Sequence, residues 1–245
     1  MKDVDAFSVS PLKGQRVLIV GGVSGIGAAV AHQAVARGAE VIVAGRQGGR
    51  ARPALGELAV KIEQVDIADD ASVKALFQRV TNIDHLVITA GPDVQAQPLA
   101  ATDLHHAIAA FDVKLWGALR VIQAALPHLR ANSSITLTSG LLARKFVPGQ
   151  LIKTGINAAL EAVGKQLAKE LAPRRVNVVS PGVTRTDAYA GMSDENREAM
   201  YARVGANLPV GRVGQPDDLA SAFILLMENG FITGTVLDVE GGGLL

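Results

Sequence analysis

The chain has 245 residues, of which 24 are Lys or Arg and 23 are Asp or Glu, so its formal net charge is +1. This balance gives no support to nucleic-acid binding, and a hydrophobic content of 49% excludes a disordered chain. The absence of Cys excludes disulfides, thiolate catalysis and zinc sites with Cys ligands. The polar start and the lack of an apolar run of about 18 residues predict neither a signal peptide nor a membrane span, and we expect a cytoplasmic protein.

Short apolar runs rich in β-branched residues alternate along the chain with longer segments of helical period. This alternation is typical of a parallel sheet with helices packed on both faces. No internal repeat and no Pro- or Gly-rich linker marks a second domain, so the prediction is one doubly wound α/β domain over residues 1–245. Its seven expected strands are Arg16–Val20, Glu40–Ala44, Lys61–Val65, Ile83–Ile88, Ser134–Leu137, Arg175–Val179 and Thr235–Asp238.

The segments between the strands carry helix signals. The first helix is expected from Gly25 to Arg37 and ends at Gly38, because Gly after a basic last turn is a common C-terminal stop. Asp69 and Asp70 are the N-cap candidates for a helix over residues 71–80. Two later helices show apolar stripes at helical spacing. The first stripe is Leu115, Leu119, Ile122 and Leu126, and the second is Ile156, Leu160, Val163, Leu167 and Leu171.

The clearest local signal is a glycine-rich loop that follows the first strand and opens the first helix. Gly21 permits a tight turn, Gly25 lets the backbone approach a pyrophosphate, and Gly27 lets helix and strand pack closely. The free N–H groups and the dipole at the start of a helix favour an anion there. The loop therefore predicts a dinucleotide phosphate site, formed by Gly21, Ser24, Gly25, Ile26 and Gly27.

With the spacing Gly-x3-Gly-x-Gly, this loop resembles that of the short-chain dehydrogenase/reductase family, and the resemblance extends over nearly the whole chain. Asp66 is similar to the family's aspartate beside the adenine ring, and Ala90-Gly91 to the end of its Asn-Asn-Ala-Gly motif. The segment Arg175–Gly182 followed by Thr186 resembles the family's loop over the nicotinamide. The resemblance implies a Rossmann fold and further cofactor-binding residues, namely Asp66, Ile67, Ala90, Gly91, Thr138, Pro181, Gly182, Thr184 and Thr186.

The end of the second strand indicates which dinucleotide is preferred. Sites that prefer NAD usually place an acid there to accept a hydrogen bond from the ribose 2′-hydroxyl, whereas a 2′-phosphate is accommodated by a nearby Arg. Gly45 and Arg46 match the second pattern, and a charge-assisted contact of this kind is worth about 1.5–3 kcal/mol. We therefore expect NADP(H) as the cofactor. The alternative is that Arg46, with Arg50 and Arg52 nearby, is a solvated loop charge.

The sequence departs from the family at the residues that perform its chemistry. In the family, a hydride passes between nicotinamide and a carbonyl or alcohol carbon while a Tyr in a Tyr-x3-Lys pair relays the proton. A Ser about 13 residues upstream and an Asn on the preceding helix complete the relay. Here the Tyr and Lys positions hold Lys153 and Asn157, and the Asn position holds Lys114. Gly140 lies thirteen residues before Lys153, with Ser139 one place away.

In one interpretation, the redox chemistry continues with Lys153 as the acid, and the catalytic candidates are Lys153, Asn157, Ser139 and Lys114. Lys153 and Asn157 are four residues apart, so they share a helix face and can both point at the cofactor. The reference pKa of a Lys amine, about 10.4, is close to the roughly 10 of a Tyr phenol. Lys114, Arg144 and Lys145 can crowd Lys153 with positive charge, which favours release of its proton. The expected function is an NADP(H)-dependent oxidoreductase acting on a carbonyl, alcohol or imine.

In the other interpretation, the dinucleotide site remains while the redox relay is lost, which leaves a regulatory binding module or a non-redox enzyme. Two lysines at the relay positions argue against simple loss, because an unpaired buried charge costs several kcal/mol. If both amines instead reach solvent, this argument fails. The nearest tyrosines, Tyr189 and Tyr201, lie outside the relay helix and receive no role.

The expected partners are a small-molecule substrate and further copies of the same chain. Family members pair through the helices on either side of the Ser strand and through the C-terminal strand, so we expect a homodimer or homotetramer. The apolar end Gly241–Leu245 fits burial at such a contact. Segments 92–98, 141–150 and 184–205 are expected to wall the substrate pocket. The five His residues show no metal-ligand spacing, so no metal is expected, and no nucleic acid or membrane partner.

Overall fold

The computed structural model of the chain describes residues 12–46, 52–92 and 94–245. The N-terminal arm and most of segment 47–53, which the sequence marks as loose, lie outside the described residues. So do Arg50 and the side chain of Arg52. The interpretation of Arg46 as one of three loop charges is therefore left untested by the structure.

Seven strands form one parallel sheet in the order β3-β2-β1-β4-β5-β6-β7, and the predicted α/β doubly wound fold is confirmed. The fifth strand begins earlier than expected, at Leu129 rather than Ser134. Residues 130–132 after Leu129 are exposed, so no apolar run marks the start of this strand. The pairing with the neighbouring strand is also irregular there. The strands are β1 (Arg16–Val20), β2 (Glu40–Gly45), β3 (Val60–Gln64), β4 (Ile83–Ile88), β5 (Leu129–Thr138), β6 (Arg175–Pro181) and β7 (Val236–Val239).

The predicted helix boundaries hold where a cap marks them. The first helix ends one residue before Arg37, and Gly38 follows with a left-handed φ of 77°. Asp69 caps its helix by accepting the Ala71 N–H through its side chain. The described α-helices are α1 (Gly25–Ala36), α2 (Arg52–Leu55), α3 (Asp70–Arg79), α4 (Leu104–Phe111), α5 (Gly117–Ala125), α6 (Leu151–Glu170), α7 (Asp194–Ala206) and α8 (Pro216–Glu228). A π-helical turn, Asp112–Trp116, joins α4 to α5.

The sheet is buried on both faces, because successive strand residues enter two different cores. Leu18 and Val20 pack in the core that includes α3, α5 and α6, whereas Val17 and Ile19 pack in the core of α1 and α8. The two predicted stripes are buried only in part. Leu115, Ile122, Ile156 and Leu160 are buried, and the other five members are half-buried.

The buried face of α5 combines small residues with Val121 and Ile122, and it does not include Leu119. Ala118 and Ala125 are buried there, and a Cβ added to Gly117 would lie 2.9 Å from the Ile67 side chain. Only small side chains permit an approach this close, so the larger Leu119 and Leu126 stand at the helix flank. There they line an open surface groove between α5 and α6.

The strand order reverses between β1 and β4, which are neighbours in the sheet. In open α/β sheets a crevice opens at this point, outside the carboxyl ends of the strands, and ligands bind in it. The N–H groups of Thr89 and Ala90 both donate to the Val20 carbonyl, at 2.8 and 3.2 Å. The glycine loop after β1 is thereby held against the residues that follow β4.

Candidate active site

A groove of about 570 Å³ lies at this crevice. It contains twelve of the sixteen residues predicted to bind the cofactor: Gly21, Ser24, Gly25, Ile26, Gly27, Gly45, Arg46, Asp66, Ile67, Ala90, Gly91 and Thr186. Pro92, Asp187 and Ala188 also line the groove, and they come from segments expected to wall the substrate pocket. The other lining residues were not predicted from the sequence and are Val20, Val23, Val65, Thr89 and Val113. Val113 enters through the π-helical turn, which sequence periodicity does not reveal.

Two glycines form a cradle that no larger residue can occupy. Gly21 has a φ of 93°, and a Cβ at this position would lie 2.4 Å from the Ala90 amide nitrogen. A Cβ on Gly27 would lie 2.3 Å from the Gly21 carbonyl oxygen. The loop therefore stays tight against the end of β4, with the first turn of α1 facing the groove. This arrangement fits a bound pyrophosphate, because the first N–H groups of a helix lack intrahelical partners.

The other four predicted residues are not among those that line the groove. Thr138 ends β5 and donates its hydroxyl to the Ile88 carbonyl at 2.8 Å. The hydroxyl of buried Thr184 donates to the Gly182 carbonyl at 3.0 Å. Pro181 ends β6, and a Cβ on Gly182 would lie 2.7 Å from the Glu240 Cα. These contacts hold the strand ends in place, and cofactor contacts for these four residues stay predictions.

Arg46 marks one end of the groove. It is exposed directly after β2, at a strand end where Gly45 supplies no carboxylate. It also lines a neighbouring cavity of about 430 Å³, together with Ser72 and Arg79. Asp66 lies between the two spaces, where one of its carboxylate oxygens accepts the Ala68 N–H. This end of the groove therefore presents the Arg46 guanidinium to an anion, because Arg79 is already paired with Glu63 and the Asp66 carboxylate accepts a backbone N–H.

A buried polar cluster lies behind the groove wall at Gly91, where the π-helical turn meets α6. Lys114 Nζ donates to Asn157 Oδ1 at 2.8 Å and to the Ser139 carbonyl at 3.0 Å. The side chains that the resemblance places at the family's Asn and Lys relay positions thus contact each other. The Lys114 stem reaches the groove wall, because its Cδ lies 3.8 Å from a Cβ built on Gly91.

The amine of Lys114 is held in an environment that disfavours its charge. Burial is the main cause, and the nearby charge of Lys153 adds to it, so that the pKa of Lys114 falls from 10.5 to about 8. Both of its hydrogen-bond acceptors are neutral, and no carboxylate forms an ion pair with it within the described ranges. Lys114 therefore titrates near neutral pH, unlike an exposed lysine.

Ser139 does not point its hydroxyl toward Lys114. The hydroxyl donates to Glu161 Oε1 at 3.1 Å, and only the Ser139 carbonyl faces Lys114. At the neighbouring Gly140, which holds the family's Ser position, a Cβ would lie 2.9 Å from Asn157 Nδ2. Asn157 thus fills the space that a side chain at residue 140 needs. The one-residue shift that the sequence allows for Ser139 leaves its hydroxyl bound to a carboxylate.

Glu161 belongs to an ionic network that the sequence analysis missed. Arg144 Nε lies 3.1 Å from Glu161 Oε2, and the same guanidinium forms a two-point ion pair with Asp238. Glu161 is eight residues after Lys153 on α6, and this spacing is the sequence signal that could have identified it. The network ties the loop after β5 to α6 and β7.

Among the three cations expected to crowd Lys153, the structure brings Lys114 close to it. The charge of Lys153 contributes to the lowered pKa of Lys114, which places the two amines within electrostatic reach. Arg144 is paired with two carboxylates and Lys145 Nζ donates to the Gly243 carbonyl at 2.7 Å, and an effect of these two cations on Lys153 stays a prediction. Lys153 itself is half-buried in the first turn of α6.

The two tyrosines pack together, away from this cluster. Their rings meet edge to face at 5.7 Å, and the Arg185 guanidinium lies 4.4 Å from the centre of the Tyr201 ring. Arg185 is held in turn by both carboxylate oxygens of Glu198. Burial raises the pKa of Tyr189 above its ordinary value. These contacts fold segment 184–205 onto itself and give the tyrosines a packing role.

A second cavity, of about 410 Å³, adjoins the groove through Pro92, which lines both spaces. Its walls come from the loop after β4, from one side of α4 and from the residues that lead into α6. Ala107, Ala110 and Ile152 make much of the wall apolar, and Asp103 and His106 form a hydrogen-bonded pair at one side. A mostly apolar space beside a polar groove is the usual form of a site for a small organic ligand.

In the part of the chain that the structure describes, no group of His, Asp and Glu side chains is arranged to hold a metal ion. None of the helices found there combines the length and apolarity needed to cross a bilayer.

Comparison with known proteins shows close similarity along almost the whole chain. A family model described as enoyl-(acyl carrier protein) reductase matches residues 21–243. Short-chain dehydrogenase/reductase ATR9 of Stachybotrys chlorohalonatus is 34% identical over 96% of this chain and 98% of its own. A crystal structure of a small-chain dehydrogenase in complex with NADPH is 43% identical, with a TM-score of 0.85 over 95% of this chain and 99% of that one. The structure of the MalC reductase/Diels-Alderase of Malbranchea aurantiaca is 30% identical, with a TM-score of 0.86 over 95% of this chain and 97% of that one. By sequence and by fold, the chain belongs to the short-chain dehydrogenase/reductase family.

Proposed function

We propose that the protein is an NADP(H)-dependent oxidoreductase that reduces a carbonyl or imine carbon, or oxidises the corresponding alcohol or amine. The observation that carries the proposal is that a glycine cradle and a buried amine lie along the same groove, the amine beside Gly91. A glycine cradle suited to a pyrophosphate opens the groove, and the Lys114 stem reaches its wall beside Gly91. A coenzyme in this groove has an amine cluster close to its far end. The NADPH complex of the 43% identical relative supports the choice of coenzyme.

Arg46 is proposed to bind the 2′-phosphate that distinguishes NADPH from NADH. Replacing Arg46 with Ala is expected to weaken NADPH binding by about ten- to a hundredfold, because a charge-assisted contact of about 1.5–3 kcal/mol is lost. NADH binding should change by less than about twofold. Calorimetric titration of both coenzymes against the native chain and the variant measures the two losses. Equal losses for NADPH and NADH would show that Arg46 does not contact the 2′-phosphate.

When bound, the coenzyme supplies or accepts a hydride at the nicotinamide ring. The chain must then deliver or remove a proton at the substrate heteroatom, and we assign this task to Lys153. Lys114 holds the Asn157 amide by its oxygen, which leaves Asn157 Nδ2 to donate elsewhere; we propose that it orients the coenzyme ribose. Ser139 has a positioning role, since its carbonyl holds Lys114 while its hydroxyl is bound to Glu161.

We assign the substrate to the cavity that shares Pro92 with the groove. Its apolar walls favour an uncharged, largely apolar carbonyl or imine compound. Ala109 stands at the exposed rim of this cavity. Replacing Ala109 with Trp is expected to raise KM about tenfold or more and to leave the NADPH affinity unchanged, because only the substrate space is narrowed. His105→Trp, on an exposed α4 residue outside the cavity lining, is the matched control. Unchanged KM in Ala109→Trp would place the substrate elsewhere.

The experiment that tests the function combines binding and turnover. NADPH should raise the unfolding temperature of the protein more than NADH does, and NADPH should be oxidised in the presence of a member of a panel of apolar aldehydes, ketones and imines. Tight NADPH binding without turnover on such a panel would favour a regulatory binding module. Absence of binding by either coenzyme would refute the proposal altogether.

Assembly into a homodimer or homotetramer is also proposed. Leu104, Ile108 and Trp116 are large apolar side chains that are more than half exposed on α4 and the π-helical turn, and such exposure is typical of an interaction surface. The C-terminal end gives less support than expected. Gly241 and Gly242 pack against Leu208–Val210 of the same chain, and Leu245 is fully exposed.

A further inference from the structure

The two ends of the coenzyme groove differ in their charges. Arg46 and Asp66 stand at one end, which the proposed function assigns to the adenosine half of NADP(H). Gly91 also lines the groove, and we assign the nicotinamide half to the stretch beside it, because the pair of Lys114 and Asn157 lies there. Lys114 follows Val113 in the π-helical turn, and its stem lies against Gly91. Its amine is therefore a cation that the fold holds beside the nicotinamide half, with Lys153 as its neighbour.

Little negative charge offsets this cation. The groups facing Lys114 are Asn157 and Lys153 from α6 and the Ser139 carbonyl from the end of β5, so the one titratable neighbour is another amine. The acids nearby are engaged elsewhere or lie at the rim. Glu161 is paired with Arg144, Asp112 with Arg120, and Asp187 is exposed at the groove edge.

We propose that Lys114 makes the groove discriminate between the two redox states of its coenzyme, binding NADPH more tightly than NADP⁺. This inference rests on the proposed function of the groove. The two forms share every phosphate and sugar, but the oxidised nicotinamide ring carries a positive charge and the reduced ring is neutral. A cation held close to the ring in a poorly solvated place repels only the oxidised form. The site then favours loading with the reductant and release of the oxidised product.

The same charge gives the preference a dependence on pH. Lys114 is mostly protonated at pH 7 and mostly neutral at pH 9.5, because its pKa is about 8. NADPH should bind at least about tenfold more tightly than NADP⁺ at pH 7, from the repulsion expected between unit charges several ångströms apart in a partly buried site. At pH 9.5 the ratio of the two dissociation constants should fall severalfold.

The test is equilibrium binding of NADPH and of NADP⁺ to the full chain, without substrate, at pH 7 and pH 9.5. Lys114→Gln removes the charge but keeps a hydrogen-bond donor, and the ratio should fall below about threefold at both pH values. Lys114→Arg keeps the charge at every pH, so the ratio should stay high at pH 9.5. Lys165→Gln, an exposed lysine of α6, is the control for general charge and should behave like the native chain.

Each outcome tests either this inference or the proposed function on which it rests. Binding of both forms with similar affinity at pH 7 would overturn the inference and leave the proposed function standing. A large ratio that neither pH nor Lys114→Gln changes would also overturn it, because another group would then discriminate. If neither form binds, the proposed function itself fails. Should Lys114→Gln not fold, the pH dependence of the native chain and of Lys114→Arg still gives the answer.

Discussion

Replacing Lys153 with Met is expected to lower kcat by at least about 100-fold while the NADPH dissociation constant changes by less than about threefold. A positioned acid or base contributes roughly 10²–10⁴ to a rate, and a thioether of similar length carries no proton. Lys153 lies in the first turn of α6, four residues before Asn157, within electrostatic reach of Lys114. The measurement is steady-state NADPH oxidation with the best substrate of the carbonyl and imine panel, beside a binding titration.

Two further variants separate this role from general effects of charge. Lys165→Met removes an exposed lysine from the same helix and should retain full turnover. Lys114→Met tests the neighbouring amine, whose pKa of about 8 also suits proton transfer at neutral pH. If Lys153→Met keeps native turnover while Lys114→Met abolishes it, the acid is Lys114. If both keep it, the proton comes from neither lysine.

The second large effect is on stability, and its direction follows from the pKa of Lys114. The amine titrates near 10.5 in the unfolded chain and near 8 in the folded chain. Between these pH values the unfolded state binds the additional proton, so the free energy of unfolding rises with pH. Below pH 8 both states carry the charge, and the folded state bears the cost of burying it. The gain from pH 8 to pH 10.5 amounts to about 3 kcal/mol, at about 1.4 kcal/mol for each unit of pKa difference.

Urea unfolding of the native chain and of Lys114→Met, at steps between pH 7 and pH 10.5, checks this value. The difference between the two free energies of unfolding should shift by about 3 kcal/mol in favour of the native chain as the pH rises. Taking the difference cancels the other lysines and tyrosines that titrate in the same range. Lys165→Met should give a curve parallel to that of the native chain. A parallel curve for Lys114→Met would mean that its amine is solvated in the folded protein.

The sequence was sufficient for the architecture because the signals that determine it are local. Alternating apolar runs predict the seven strands, and the buried sheet requires them. Asp69 and Gly38 mark helix ends through their own hydrogen bonds and backbone angles. Gly21 and Gly27 predict the phosphate cradle, since the turn they form depends on residues within one loop. Each of these signals lies between residues close together in the chain, and the contact of Gly21 with Ala90 then completes the cradle in the folded protein.

The arrangement of the amine cluster beside the groove depends on contacts between segments that are distant in the sequence. Local sequence patterns do not reveal such contacts. The resemblance implies that Lys114 and Asn157 stand at two separate relay positions, and only the packed helices show that they form one hydrogen-bonded pair. The π-helical turn that carries Lys114 breaks the helical period used to read the sequence. The charge on Arg144 looks available in the sequence, but folding brings two carboxylates from α6 and β7 to it.

The order of residues in the chain thus determined the fold class and the glycine loop, because each follows from residue types at short spacing. The tertiary structure decided where the charges act, because burial and the approach of segments far apart in sequence set the pKa of a buried amine. Lys114 illustrates this division. In the sequence, Lys114 is only a lysine at a position where the resemblance implies Asn. Its lowered pKa arises from burial and from a lysine on another helix, which only the folded chain provides.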